Sequence, residues 1–470
     1  MIALHYSTTD PFRLHGIRHF WDTEGLPEPD ADSKVGIAYG DVESKTEYTI
    51  RVIENDISDR TSGWIEYDGE TAPLFETPAE VKGELIATFK SDTSYSCASE
   101  SGKEITIGFD VFNQAGRILS GHLEGRYPTE ASEIPALDIY ERILFDSIKK
   151  LCNKAGSPLV CKAKWPNEAP YAVCLTHDVD EVRKTYQHIT SPLKYAALGI
   201  FGKAFHYVKN SISDISSGRD PYWTFEELIK LEDELAVKSS LFFLEEKGKF
   251  TIKDPKSIFL MARRYELTEP KIAAMIKRLD AGGWDVGVHG SYYSYDNPQL
   301  FKAEKEKLDS VLGHPTSGTR QHHLNLKIPE TWRSHEAAGI KYDCTLGYKN
   351  KPGFRWGTCQ PFTPLDPNTK TQINITEIPT TIMDTPLFYQ KNNPTEIINR
   401  MQETVKKHSG VLTLLWHHTV FNTKEFPGWA ERYKQIIMQA KKDGAWITTG
   451  HQIAAWGVNR YKQKDETLKS

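Results

Sequence analysis

The chain predicts an α/β protein: an irregular (β/α) barrel of about seven strands, preceded by a smaller α+β domain. Three observations predict it. At 470 residues the chain is longer than one compact core usually holds, so two units are expected. Its texture changes near residue 165, from short strand-like runs between polar turns to a regular alternation of apolar strands and amphipathic helices. Strands alternating with helices build parallel βαβ units; seven or eight of them suggest a barrel, with a doubly wound open sheet as the alternative.

In the first unit, 1–165, YTIRVI (48–53) and EITIGFDVF (104–112) read as strands, and PALDIYERILFDSIKKL (135–151) has apolar residues at helical spacing. No constellation of reactive residues stands out there. KAKWPNEAP (162–170), with two prolines, reads as a linker. The second unit, 166–470, opens on the apolar strand YAVCLT (171–176), followed by the helix FEELIKLEDELAV (225–237) and the strand SSLFFL (239–244). EPKIAAMIKRLDAGG (269–283) is a helix stopped by glycines, and WDVGVHG (284–290) the next strand. The alternation continues through helix 298–313, strand 316–322, helix 329–339, strand 340–346, strand 373–383, helix 395–410, strand 411–418, helix 429–444 and strand 445–449. Residues 185–222 break the rhythm. TSPLKYAALGIFGKAFHYVKNSI within them reads as a surface excursion, with a helical insertion over the site as the alternative.

Bulk properties exclude several function classes. A net charge of −5 gives no basic footprint for nucleic acid or an anionic membrane. No apolar run approaches the ~20 residues of a spanning helix. MIALHYSTTDPFRLHG lacks the basic and apolar regions of a signal peptide, so a cytoplasmic location is expected. The cysteines, at 97, 152, 161, 174, 344 and 359, form no CxxC pair, which argues against a cysteine zinc site.

In a parallel fold of either kind, ligands gather at the C-terminal ends of the strands. Reactive residues fall there repeatedly. The first strand ends in THDVD (176–180), where Asp178 and Asp180, two apart, share a face. His289 ends the third strand. The fourth ends in TRQHH, with Arg320 and His322 on one face and Gln321 and His323 on the other. Asp343 lies on the fifth, and WHH (416–418) ends a later one. Each residue alone has a dull explanation: a hydrogen-bonded histidine, a helix-capping aspartate, a paired arginine. Polar groups at the same end of successive parallel strands are harder to explain that way, because such strands favour apolar residues. An aspartate with two histidines suits a zinc shell with room for water, and the metal would polarise an amide carbonyl. A nearby carboxylate could take a proton from water, and a histidine across the site could protonate the leaving nitrogen.

These motifs, over about 166–460, resemble in order the polysaccharide deacetylase family, the NodB-homology group of carbohydrate esterases. Thr176-His177-Asp178-Val179-Asp180 resembles the first motif, implying that Asp178 is the general base and Asp180 a metal ligand. His289-Gly290-Ser291-Tyr292-Tyr293 resembles the second, implying that His289 is a ligand, but Tyr293 stands where the family has a second histidine. His322 is the replacement we expect, with His323 and Tyr293 as competitors. Arg320 resembles the arginine that orients the catalytic aspartate, Asp343 the fourth motif, and LLWHH the fifth, making His417 the catalytic acid and His418 structural. Tyr293, His323 and Trp416 are candidate substrate contacts. GFRWGTCQPF (353–362) resembles a substrate-side loop. The implied cofactor is a divalent metal, zinc first, with cobalt, nickel or iron suiting a similar shell. The implied partner is a carbohydrate and the implied reaction removal of an N-acetyl group from an amino sugar of a glycan or glycan precursor. The alternatives are hydrolysis of another C–N amide bond, and a catalytically silent glycan-binding protein.

Overall fold

The computed structural model describes residues 1–197, 199–218, 220–246 and 265–467. Two sheets organise it. The first has eight strands: β1 (Ala3–Tyr6), β2 (Val35–Tyr39), β3 (Tyr48–Val52), β4 (Gly63–Tyr67), β5 (Glu70–Leu74), β6 (Glu84–Lys90), β7 (Ser94–Ser101) and β8 (Glu104–Ile107). Their order is β1-β2-β3-β8-β7-β6-β4-β5. Neighbours are parallel from β1 to β8 and antiparallel from β8 to β5. Three helices accompany it: α1 (Pro11–Thr23), α2 (Val111–Leu119) and α3 (Ala136–Lys154). Helix α1 starts where Asp10 accepts from the backbone N–H of Phe12 (2.8 Å) and Arg13 (3.0 Å), with Pro11 preset for the first turn. Helices α1 and α2 pack backbone against backbone. A Cβ on Gly16 would lie 1.9 Å from Phe112 O, and one on Gly116 1.9 Å from Phe12 O, so neither position admits a side chain.

This part does not close its core alone. Phe20, Ile50, Phe109, Tyr140 and Leu144 are continuous with Trp332, Leu346, Trp356 and Phe362 from the second half of the chain. GFRWGTCQPF therefore serves mainly as packing: Phe354, Trp356 and Phe362 are buried, and Asp138 of α3 accepts from Thr358 Oγ1 (2.6 Å) and Cys359 N (2.9 Å). The expected linker is also packed. Trp165 is buried and its indole N–H donates to Ser409 O at 2.8 Å.

The second sheet is curled and wholly parallel. Its path runs β14 (Thr376–Glu377), β13 (Tyr342–Asp343), β12 (Gly318–Gln321), β11 (Asp285–Gly290), β10 (Ser240–Leu244), β9 (Ala172–Val179), β16 (Val411–Leu415), β15 (Ile382–Met383). A ninth strand, β17 (Trp446–Thr448), pairs with the first half of β9. About seven strands were expected, and the strand expected at 373–383 is two short pieces, β14 and β15. Pro379 between them has no N–H to give a ladder. Helices cover the outside, among them α6 (Phe225–Glu234), α7 (Pro270–Ala281), α8 (Pro298–Leu312), α9 (Glu330–Ala337), α10 (Asp384–Tyr389), α11 (Pro394–Lys407) and α12 (Trp429–Lys442); α13 (Gly450–Thr467) closes the described chain. Their apolar stripes (Leu228, Ile276, Leu308, Ile397, Ile437) meet the outward side chains of the strands (Val173, Leu175, Phe243, Leu412, Leu414) in one core.

The interruption at 185–222 is a helical insertion, α4 (Gln187–Ala197) and α5 (Phe201–Ser217), not an irregular excursion. It is tied to the loop after β16: His206 Nε2 lies 3.0 Å from Lys424 O, and Lys184 Nζ bridges Asp214 (3.3 Å) and Glu425. Its outward side carries Phe201, Phe205, Ile212 and Ile215. Among the described residues no helix is long and apolar enough to cross a membrane.

Candidate active site

Alternation along β9 sorts its last residues. His177 faces the helices, its Nδ1 2.6 Å from Trp416 O and its Nε2 3.0 Å from Glu232 Oε1. Asp178 faces the interior with Asp180 beyond it. His289, at the end of β11, reaches the same point: Nε2 is 3.2 Å from Asp180 Oδ1 and 3.5 Å from Asp178 Oδ2. His322 follows the last residue of β12 and puts Nε2 3.8 Å from Asp180 Oδ2. The ligand atoms of Asp180, His289 and His322 all lie within 4.8 Å of one another.

Whether this trio fits a metal is decided by its donors. One carboxylate and two imidazoles form an ordinary divalent-metal set. The Nδ1–H of His289 donates to Arg320 O at 2.8 Å, which fixes the tautomer and turns the other nitrogen toward the carboxylates. Burial alone would lower the His289 pKa, yet Asp178 and Asp180 raise it above its ordinary range, so the pocket favours positive charge at this point. The donor set fits a divalent cation.

Two further pairs flank the trio. Arg320, fully buried, donates from Nη1 to Asp178 Oδ1 (2.8 Å), from Nε to Cys344 O (3.0 Å) and from Nη2 to Thr380 Oγ1 (3.2 Å). Burial pushes the Asp178 pKa up, but His289, Arg320 and His417 together hold it below its ordinary value, so the carboxylate is ionised. Across the cluster, His417 Nε2 lies 3.8 Å from Asp180 Oδ2. Its backbone N–H donates to Asp384 Oδ2 (2.7 Å), and its Nδ1 is 2.9 Å from Asp384 Oδ1. Burial works against protonation of His417, but Asp384, then Asp180 and Asp178, push its pKa to about 10. The adjacent His418 goes the other way. Buried between Asp178 O (3.3 Å) and Tyr222 O (3.1 Å), it drops to about 4, mainly through desolvation.

Two expected site residues are elsewhere. Asp343 is turned away from the cluster. The β12–β13 register sets it beside Thr319, on the face opposite Arg320, where it binds His335 Nδ1 (2.8 Å) and accepts from Thr345 N (2.8 Å). It secures α9, not a reacting group. Trp416, expected to touch substrate, is fully buried beside Phe388 and Tyr433, because alternation sends it outward between Leu415 and His417. His323 is exposed, with φ at 57°, so the chain leaves its extended form just after His322. Its ring stacks on His322 at 4.1 Å. Tyr293 is 44% exposed and meets Tyr292 edge-on.

Sequence reasoning missed Asp384 and Glu246. Asp384 opens α10 right after β15, and the β15–β16 register of Met383 with Leu415 carries it to His417. Glu246, just past β10, is buried, accepts from Tyr292 N (2.9 Å) and lies 3.7 Å from His322 Nδ1. The strand-end position was the signal available for it.

No family model matches the chain, and no curated protein matches it. Solved structures do resemble it. A protein from Mycobacterium smegmatis named among the polysaccharide deacetylases is 18% identical, over 63% of this chain and 93% of that one, with a TM-score of 0.41. A "probable polysaccharide deacetylase" from Pseudomonas aeruginosa PAO1 is 15% identical, over 65% and 96%, at 0.40. PuuE allantoinase is 15% identical, over 62% and 91%, at 0.39. Likenesses this distant are no guide to the chemistry of the present chain, which rests on its own site.

Proposed function

We propose that this protein is a metal-dependent hydrolase that removes an N-acetyl group from an amino sugar of a glycan or glycan precursor. The observation that supports this most is one pocket holding a cation-binding trio, a carboxylate kept ionised and an imidazole kept protonated. Asp180, His289 and His322 would hold the metal, zinc first and cobalt, nickel or iron by the same donors. Bound there, it would polarise the amide carbonyl. Asp178, ionised beside Arg320, accepts a proton from the attacking water. Arg320 orients that carboxylate through its bond to Oδ1. His417, protonated beside Asp384, delivers a proton to the leaving nitrogen. The amino-sugar substrate follows from the order of the motifs, which resembles that of the deacetylases. Tyr293 and His323, exposed beside the cluster, would contact the sugar.

A second reading has one observation behind it. Tyr293 occupies the place of the family's second metal histidine, which suits a silent glycan-binding protein. The test is acetate release from N-acetylated chito-oligosaccharides and ring opening of small cyclic amides, by zinc-loaded wild type and Asp178→Asn. Turnover of the sugar, abolished in a variant that keeps its metal, is expected. Turnover of the cyclic amide alone would move the activity to another C–N bond, and no turnover with metal bound would favour the silent protein.

A further inference from the structure

Both halves of the chain build an open cavity of about 560 Å³, a size typical of small-molecule sites. Its wall includes Glu124 and Tyr127 from the N-terminal part and Tyr348, Lys349, Lys351 and Arg355 from the segment after β13. That segment leaves the C-terminal end of its strand, the end at which the candidate active site lies. A short path of bonds connects the two. Lys349 Nζ donates to Asn325 Oδ1 (2.8 Å), and Asn325 N–H donates to His322 O (3.3 Å). Asn325 Nδ2 also donates to Tyr292 O (3.2 Å).

The charge of this wall is unbalanced. Glu124 is the one carboxylate among its described lining residues, against Lys349, Lys351 and Arg355. Glu124 is already engaged by Arg355 Nη2 and by the indole N–H of Trp356 (2.6 Å). The two lysines have neutral acceptors: Asn325 Oδ1 for Lys349 and Thr129 O (3.2 Å) for Lys351. Glu130 and Glu133 act on Lys351 from outside the wall, and Glu133 is held by Arg400 at 2.9 Å. Desolvation first, then the charge of Arg355, depress the pKa of Lys349 against the pull of Glu124, and a bound anion would favour its charged form. Lys351 Nζ lies over the ring of Tyr348, 4.7 Å from its centre, which holds the ammonium at this wall.

We propose that this cavity is a subsite for a negatively charged sugar residue, bearing a carboxylate or a phosphate, next to the residue whose acetamide reaches the metal-ligand cluster. The inference rests on the hydrolase reading for its place in catalysis but not for its binding. The N-terminal part thereby supplies one wall of the substrate site.

Calorimetry with full-length protein tests it, using a neutral N-acetylglucosamine tetrasaccharide, a tetrasaccharide alternating N-acetylglucosamine with glucuronate, and UDP-N-acetylglucosamine. Wild type should bind an acidic probe about tenfold tighter than the neutral one, and added salt should erode that preference. Preference for the glucuronate probe assigns a carboxylate, and preference for the nucleotide sugar assigns a phosphate. Lys349→Ala and Lys351→Ala should each reduce the acidic-to-neutral ratio, and Lys349→Arg should keep it. Equal affinity for all three probes, or a ratio unmoved in both alanine variants, overturns the subsite. Since binding is read directly, failure of acetate release would count against the hydrolase reading and leave this result standing.

Discussion

Both halves of the chain bury ionisable groups, and they use them differently. In the N-terminal part, Asp110 is fully buried, and its pKa is raised to about 6 mainly by desolvation. It caps α2 by accepting from Asn113 N (2.8 Å), and it also accepts from Asn55 N (3.1 Å) and Tyr39 OH (2.9 Å). Its own N–H donates to Glu76, which desolvation lifts to about 8. Two backbone N–H groups, the Tyr39 hydroxyl and the Arg13 guanidinium (3.3 Å) answer this carboxylate, so it serves the packing of its own half. In the barrel sheet, Asp180, His289 and His322 come from three separate strand ends and aim their acceptor atoms at one point. Burial and a shifted pKa mark both clusters; among the described residues only the second brings three metal-type ligand atoms within 4.8 Å of one another.

The largest effect that tests this contrast is on turnover. Asp178→Asn should lower kcat by roughly 10²–10⁴-fold with metal still bound. Asp110→Ala should leave kcat of the folded protein unchanged. A normal rate in Asp178→Asn would remove it as the base. His417→Ala should cost roughly 10²-fold or more. Asp384→Asn adds a pH signature. Since the His417 pKa is raised to about 10 and Asp384 is the main cause, wild type should keep its acid up to that pH. Without Asp384 the alkaline limb of the kcat profile should move down toward the ordinary histidine value of about 6.5. An unmoved limb would contradict the pairing.

Smaller effects concern the shared core. Trp332→Ala removes a fully buried side chain that joins the halves, and should destabilise by about 3–5 kcal/mol in one cooperative denaturant transition. Two separated transitions would mean that the halves fold independently. Asp110→Ala should cost about 1–3 kcal/mol, read the same way. Trp416→Phe should cost about 1–2 kcal/mol and leave KM unchanged; a raised KM would restore it as a substrate contact.

Much of the parallel sheet was legible because long apolar runs such as those containing β9 and β16 are buried on both faces. Asp178, Asp180, His289, Arg320, His322 and His417 were legible because strand ends in such a sheet point one way. What escaped depends on register. β13, β14 and β15 have two residues each, too few for a period, so the outward turn of Asp343 and the arrival of Asp384 at His417 follow only from strand pairing. The shared core escaped because Trp332, Trp356 and Phe362 look the same in sequence whichever part they cover. The two prolines of KAKWPNEAP suggested a linker, yet its tryptophan is buried and bonded to Ser409 O.

The proposed function stands or falls on a cation-binding trio of Asp180, His289 and His322. Elemental analysis of purified wild type and His322→Ala, after incubation with zinc and removal of the excess, addresses it directly. The account predicts near one metal per chain in wild type and loss in the variant. Wild type that stays metal-free, or a variant that keeps its full complement, would contradict it.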